Sequence, residues 1–389
     1  MNQTSERAGR MTKTLKGYFA FVPAKLPPNP PIKVDSEMQK LLSQADRKLG
    51  RLDGITQVLP NPELFVAMYV KKEAVLSAQI EGTQASLIDL LNRQAEADHE
   101  EYSPDGVKEV INYVNAMFWG LEKLNELPLS LRLIRNIHEV LLENVRGANK
   151  NPGEFRKSQN WIGPMGCTLE TATFVPPTAE DMLDAMSDLE LFLHEEDDIP
   201  SLIKIALVHA QFESIHPFLD GNGRMGRLLI TFWLCQQEIL SKPLLYLSYY
   251  FKQNRREYYE KLMAVRKDGD WEGWVKFFLS GVSEVADEAT EAAKEIIFLQ
   301  RKYSSMLTDR DRANGNYQTL LSLLFEYPVV SRKTIIEELK ISSPTAGSLL
   351  EDFCDAGILV DLTPEKQRYK SFAFQEYVQI LQKGTELQE

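Results

Sequence analysis

Residues 216–227 run His-Pro-Phe-Leu-Asp-Gly-Asn-Gly-Arg-Met-Gly-Arg. They place an imidazole, a carboxylate, a glycine-flanked asparagine and two guanidiniums in one short stretch. Gly221 and Gly223 permit positive φ and hence a sharp turn. Arg224 and Arg227 are three apart, on neighbouring turns of any helix that follows, and their forks suit two successive phosphates. Asp220 beside such a cradle would repel phosphate unless a cation sits between them. Mg²⁺, bridging phosphates and using one protein carboxylate, resolves that conflict. His216 is the imidazole at the loop, and with an ordinary pKa of ~6.5 it can take a proton at neutral pH. A Mg-nucleotide beside a base aimed at a hydroxyl means phosphoryl or nucleotidyl transfer.

The flanks predict how these groups are held. Leu202, Ile205, Ala206, His209 and Phe212 recur at helical spacing and lead into His216, where Pro217 helps end the helix. Met225, Leu228, Leu229 and Phe232 predict a second helix from about Gly223. A loop that opens a helix gathers outward N–H groups and the positive end of a dipole, which is an anion site. Asn222 adds an amide donor. His209, on the apolar face, and His138 read as structural histidines. No His/Cys cluster has metal-ligand spacing.

Three further segments bear on the site. Ser77-Ala-Gln-Ile-Glu81-Gly82 closes a run (Leu64, Met68, Val75, with Lys71, Lys72 and Glu73) that predicts an amphipathic helix with Gly82 at its C-cap. Ser77 and Glu81, four apart, share a helix face. On spacing alone this is an ordinary surface helix end with a solvated glutamate. Residues 153–161 and 171–177 are β-compatible runs that predict a hairpin ended by Pro176 and Pro177. Tyr249, Tyr250, Asn254 and Tyr258 are candidates for walling a nucleotide base, with core packing the competing use of each tyrosine.

The central stretch resembles the Fic family signature, His-x-Phe-x-Asp/Glu-Gly-Asn-Gly-Arg-x-x-Arg, at every specified position. The resemblance covers roughly residues 15–290. It implies a mostly helical core with a small β-hairpin flap, and transfer of AMP from Mg-ATP to a Ser, Thr or Tyr hydroxyl of a protein. By resemblance His216 is the general base and Asp220 holds Mg²⁺. Gly221, Asn222, Gly223, Arg224, Met225, Gly226 and Arg227 form the ATP-binding loop, and Phe218 is a core anchor. The hairpin is the flap, its edge pairing with the target's backbone, and Thr173, Phe174 and Val175 face nucleotide and target. Ser77, Glu81 and Gly82 resemble the family's inhibitory motif, Ser/Thr-x-x-x-Glu-Gly/Asn. Carried over, Glu81 pairs with Arg227 and displaces the γ-phosphate. The same carboxylate, orienting a water, would serve removal of AMP, so a de-AMPylating or bifunctional enzyme stays open. So do another nucleotidyl or phosphoryl transfer and an ATP-sensing regulator.

The 389 residues allow two or three domains, and a 43% hydrophobic content supports a sizeable core. A net charge of −12 disfavours nonspecific binding to nucleic acid or anionic membrane. No apolar run approaches a membrane span or a signal h-region. Three scattered cysteines, Cys167, Cys235 and Cys354, fit a reducing cytoplasm. The expected fold is mostly α. Residues 1–100 form an extended, proline-rich arm and the region carrying the inhibitory helix, residues 101–290 the Fic core, and residues 291–312 a connecting helix. Residues 313–389 resemble a winged helix-turn-helix domain, with helices through Leu320–Leu324, Ile335–Leu339 and Ala346–Phe353, then a two-stranded wing at 358–360 and 369–374. Its 309–374 stretch carries eight Lys/Arg against ten Asp/Glu. DNA binding is therefore not favoured, and a protein-interaction or dimerisation role is preferred. The expected partner is a hydroxyl-bearing protein, the chain itself included.

Overall fold

The structure, a computed structural model, describes residues 5–57, 59, 61–95, 106–164, 166–308, 315–366 and 370–386. In chain order its elements are β1 (Gly9–Lys13), β2 (Phe19–Pro23), α1 (Ser36–Thr56), α2 (Pro62–Ile80), α3 (Leu87–Ala95), α4 (Val107–Leu124), α5 (Leu131–Leu141), α6 (Ala179–His194), α7 (Ser201–Ile215), α8 (Asn222–Gln236), α9 (Ser248–Gln253), α10 (Arg255–Asp268), α11 (Trp271–Thr308), α12 (Gly315–Glu326), β3 (Val329–Ser331), α13 (Arg332–Leu339), α14 (Ser343–Asp355), β4 (Val360–Asp361), β5 (Ser371–Ala373) and α15 (Gln375–Gln382). The protein is mostly α with small antiparallel sheets, as the sequence predicts. Among the described residues no helix is long and apolar enough to cross a membrane.

Two compact units emerge, and they cut across the linear division expected from sequence. The first gathers residues 1–51 and 112–286; the second gathers 52–111 and 287–389. In the first unit, α7 and α8 form the centre. Every residue of α7 from Leu202 to Ile215 is buried, so this helix is covered on all sides, Lys204, Gln211 and Glu213 included. Gly226 lets α8 approach it: a Cβ there would meet Glu213 Oε1 at 2.6 Å and Phe212 Cδ1 at 3.3 Å. The N-terminal arm is a β1–β2 hairpin, with Met11 opposite Phe21. Gln211 Nε2 donates to Ala24 O (2.7 Å), and the Arg7 guanidinium forks onto Glu272 at 2.7 Å. These bonds seat the hairpin on the unit.

In the second unit, α2 departs from the amphipathic surface helix expected. Both of its faces are covered, Lys72 and Glu73 included. Lys72 Nζ meets Glu288 Oε1 of α11 at 2.8 Å, a buried charge with its counter-charge. The three helices expected in 313–389 are present as α12, α13 and α14, with Ser331 and Ser342 capping the second and third. The sheet has one strand more than the expected wing. Its order is β3-β5-β4, and β3, only three residues long, pairs with β5. Tyr369 and residues 309–312, where sequence placed a wing strand and the end of the connecting helix, lie outside the described residues.

Candidate active site

The 216–227 stretch folds as the flanking periodicity requires. Helix α7 ends at Ile215, and His216 caps it in the left-handed region at φ 50°. Gly221, at φ 77°, is the N-cap of α8. The first bond of α8 runs from Met225 N to Gly221 O at 2.9 Å, so the N–H groups ahead of it face out of the helix end. Gly221 N donates to Asp220 Oδ1 at 2.7 Å.

His216 stands beside this glycine turn with a side chain that is 20% exposed. Its Nδ1 lies 4.0 Å from Glu213 Oε2, one helical turn back. Its main chain is pinned from three sides. His216 N donates to Phe212 O (2.9 Å), while His216 O accepts from Arg156 Nε and Asn160 Nδ2, each at 3.0 Å. Arg156 also donates to Pro177 O (2.6 Å) and Ile215 O (3.4 Å), and Asn160 to Phe218 O (2.8 Å). Burial pulls the Arg156 guanidinium down to about 10. Sequence reasoning missed both residues as loop anchors. An Arg and an Asn four apart in the 153–161 run were the one available sign, and their partners are main-chain carbonyls that no side-chain pattern announces.

Asn222 differs from expectation. Its Oδ1 accepts from Phe218 N and its Nδ2 donates to Phe218 O, both at 2.8 Å. The side chain staples the loop rather than offering a free amide donor. Phe218 is the anchor expected, fully buried and stacked on His138 with ring centroids 3.6 Å apart. Arg224 and Arg227 are buried in α8 and not surface arginines. Arg224 Nη2 reaches Asp220 Oδ1 at 3.3 Å. Met225 and Gly226 are buried too, and Gly226 serves the α7–α8 contact.

Asp220 retains a side chain 29% exposed. A Cβ at Gly147 would sit 3.1 Å from its carboxylate, so that glycine keeps the neighbouring space open. Among the described residues no group of three or more His, Cys, Asp or Glu could hold a metal. A single solvent-facing carboxylate next to outward N–H groups fits a hard cation that takes its other ligands from phosphate and water.

The flap is shorter than predicted. One antiparallel bridge, Ile162 to Phe174, replaces a hairpin through 153–161. Phe174 turns inward: it is buried with Ala8 and Phe21, and the Arg266 guanidinium lies over its ring at 4.2 Å. Beside it, Thr173 is exposed and Val175 half-buried. Val175 O accepts from Phe21 N at 2.9 Å, so β2 sits alongside this strand.

The aromatic candidates divide. Tyr258 is core: its hydroxyl bonds His209 Nε2 (2.9 Å) and its ring stacks on Phe251. Tyr250 packs on Phe277 at 5.0 Å, and burial with Glu257 and Glu284 nearby pushes its hydroxyl up to about 12. Core packing won for both. Tyr249 and Asn254 are half-buried, with Asn254 Nδ2 donating to Tyr250 O at 3.1 Å.

Glu81 is the C-cap of α2, exposed, with Gly82 following at φ 91°. Ser77 is fully buried one turn back.

Residues 39–122 match the Fic/DOC family N-terminal pattern and residues 128–234 the Fic/DOC family pattern. The chain carries both the N-terminal region and the domain of the Fic/DOC family. Curated relatives named protein adenylyltransferase Fic are 28% identical over 184 residues in Drosophila grimshawi, and 28% over 272 residues in Aedes aegypti. These alignments take in 47% and 66% of this chain but 33% and 49% of the relatives, so the chain spans a third to a half of their length. Among solved structures, a Fic family protein from Desulfovibrio desulfuricans G20 superposes with a TM-score of 0.57 at 19% identity, covering 88% of this chain and 97% of that one. A Fic domain containing signaling protein from Bacteroides thetaiotaomicron VPI-5482 gives 0.50 at 19% identity, covering 67% and 97%. These two likenesses bear on the fold of this Fic chain alone.

Two histidines that build the site also set its pH tolerance. His138 Nε2 donates to Asp220 O and its Nδ1 accepts from Gly153 N, both at 3.0 Å. Burial pulls it down to about 4. His209, whose Nδ1 meets Gly226 O at 3.0 Å, is pulled down by burial to about 3. Both folded values lie below the unfolded one, so the unfolded chain binds protons that the folded chain refuses. Their stabilisation is full above the ordinary pKa of ~6.5 and is lost as pH falls through about 4 and about 3. At ~1.4 kcal/mol per pH unit, His138 accounts for roughly 3 kcal/mol across that interval. Thermal unfolding of the parent should therefore weaken from pH 6.5 to 4. His138→Gln, which keeps a donor and an acceptor but does not titrate, should weaken less over the same interval. Identical pH slopes would refute the assignment.

Proposed function

We propose that this Fic chain is a protein adenylyltransferase that moves AMP from Mg-ATP to a Ser, Thr or Tyr hydroxyl of a protein, its own chain included. The observation that carries the reading is His216, held by its backbone at the mouth of the α8 N-terminus with its imidazole accessible. His216 takes the hydroxyl proton as the hydroxyl oxygen attacks the α-phosphorus. The new O–P bond forms as the α–β bridging bond breaks, and pyrophosphate leaves. The outward N–H groups of Asn222, Gly223 and Arg224, with the Arg224 and Arg227 guanidiniums, receive the phosphates. Asp220 would hold Mg²⁺. When bound, that ion neutralises phosphate charge and supports the leaving pyrophosphate. Thr173 and Val175 are the flap positions for target and nucleotide, and Tyr249 and Asn254 the nearest candidates for the base.

Glu81 is the brake in this reading: pairing with Arg227, its carboxylate takes the place of the γ-phosphate. The 313–389 region, a sheet of order β3-β5-β4 following α12 and enclosing α13 and α14 in sequence, supports a winged-helix reading. Its charge balance favours protein contacts over DNA. Three cysteines that form no disulfide support a reducing, cytoplasmic setting. The test uses two labels. Incubation with Mg²⁺ and α-³²P-ATP should label protein, and incubation with γ-³²P-ATP should not. Label from the γ position would replace AMP transfer with phosphorylation.

A further inference from the structure

The helix that ends at Glu81 is mounted on the C-terminal module, and the contacts lie within the second unit. Helix α2 packs against α12, α15 and α3, and α3 packs against β3. Lys71 is brought down to about 8 by burial, against the opposing pull of the Glu326 charge of α12. Helix α15 is itself held to α11, where Lys302 Nζ and Tyr303 Oη both bond Glu376 (2.8 and 2.7 Å). At the end of α2, Gln79 ties the helix to the chain after α15. Gln79 Nε2 donates to Ala85 O and to Thr385 O, each at 3.0 Å. Thr385 follows α15 and is 3% exposed, its own N and Oγ1 bonded to Gln382 O. On the other side of the turn, Thr83 Oγ1 donates to Glu109 at 3.2 Å. Glu81, Gly82 and Gln84 are exposed between these fixed points.

We propose that the C-terminal module works as the mount of the Glu81 segment, with Gln79–Thr385 as its latch. The inference rests on the reading of Glu81 as the brake. A last helical turn frays unless it is tied. Gln79 lies two residues before Glu81 and is bonded to the chain that leaves α15, so it fixes where the carboxylate is presented. A ligand or partner that draws α15 or its tail aside would loosen the turn and release the brake without touching the nucleotide loop. This gives the module an intramolecular task that needs no basic surface, in keeping with its eight Lys/Arg against ten Asp/Glu over 309–374.

Full-length parent, Gln79→Ala, Glu81→Gly and the double variant would be compared for AMP incorporation, followed by intact mass. Gln79→Ala should be about fivefold to tenfold faster than the parent, through loss of its bonds to Ala85 O and Thr385 O. The double variant should be no faster than Glu81→Gly, because a brake already removed cannot be loosened. Gln79→Met, which keeps the volume and removes the donor, replaces alanine should that variant unfold. Hydrogen exchange at residues 79–85 should rise in the Gln79 variant, with the thermal midpoint little changed. A Gln79 variant at the parent rate beside a fast Glu81→Gly overturns the latch alone. A slow Glu81→Gly overturns the brake, and the latch with it.

Discussion

His216→Ala is expected to lower AMP incorporation by about 10²–10⁴-fold, the usual contribution of a positioned general base, while the protein stays folded and still binds ATP. The reason lies in how the residue is attached. Every hydrogen bond described for its backbone uses main-chain N or O: Phe212 O, Arg156 Nε and Asn160 Nδ2. Deleting the imidazole leaves all three intact. The glycine turn is held independently by His138, Asn222 and Asp220. One cost does fall on the backbone. Position 216 is left-handed, at φ 50°, and alanine tolerates that region less well than histidine or asparagine. His216→Asn is therefore the companion variant: it suits the backbone and supplies no base. Both should lose transfer alike, and ATP titration should give parent-like affinity. Transfer near the parent rate in either variant would remove the imidazole from the mechanism.

What sequence could read, and what it could not, follows from the range of the forces involved. The central loop was legible because its determinants are local. Pro217 ends a helix, Gly221 takes a positive φ, and apolar residues at helical spacing run on either side. The same holds for α13 and α14, whose caps Ser331 and Ser342 lie within a turn of the helices they start. Tertiary pairings were not legible. Lys72 and Glu73 look like a solvated face, yet Lys72 is covered because Glu288, 216 residues away, supplies the counter-charge. β3 is too short to show alternation and exists because β5 pairs with it. The flap shrank to one bridge, with β2 bonded alongside through Phe21 N and Val175 O and Phe174 drawn inward against Phe21. Tyr258 carried an aromatic signal that fits a base pocket or a core equally. His209 decided it by offering an acceptor inside the core.

Glu81→Gly is expected to raise AMP transfer by about 100-fold, the cost that a misplacement of roughly 1 Å imposes on an in-line attack. In the proposed reading of Glu81 as a brake, the gain comes from ending its competition with phosphate for one guanidinium. A fork occupied by a carboxylate cannot also receive a phosphate, so ATP bound beside an engaged Arg227 would present its α-phosphorus off line. The substitution is mild for the fold. Glu81 caps α2 at φ −83° and ψ 4°, a conformation glycine adopts freely, and its side chain is exposed, so no cavity is opened. The helix before it is fixed by the buried Ser77 and Ile80. A loss of about 0.5–1 kcal/mol from added chain freedom is the expected penalty, too small to hide a hundredfold gain. Glu81→Gln separates charge from bulk. If the carboxylate's charge holds Arg227, the neutral amide should recover most of the gain; if its volume blocks the phosphate, the amide should recover little. Rates would be read as initial AMP incorporation at saturating Mg-ATP, with thermal midpoints taken in parallel. An equally folded Glu81→Gly working at the parent rate would leave Glu81 as a helix cap and nothing more.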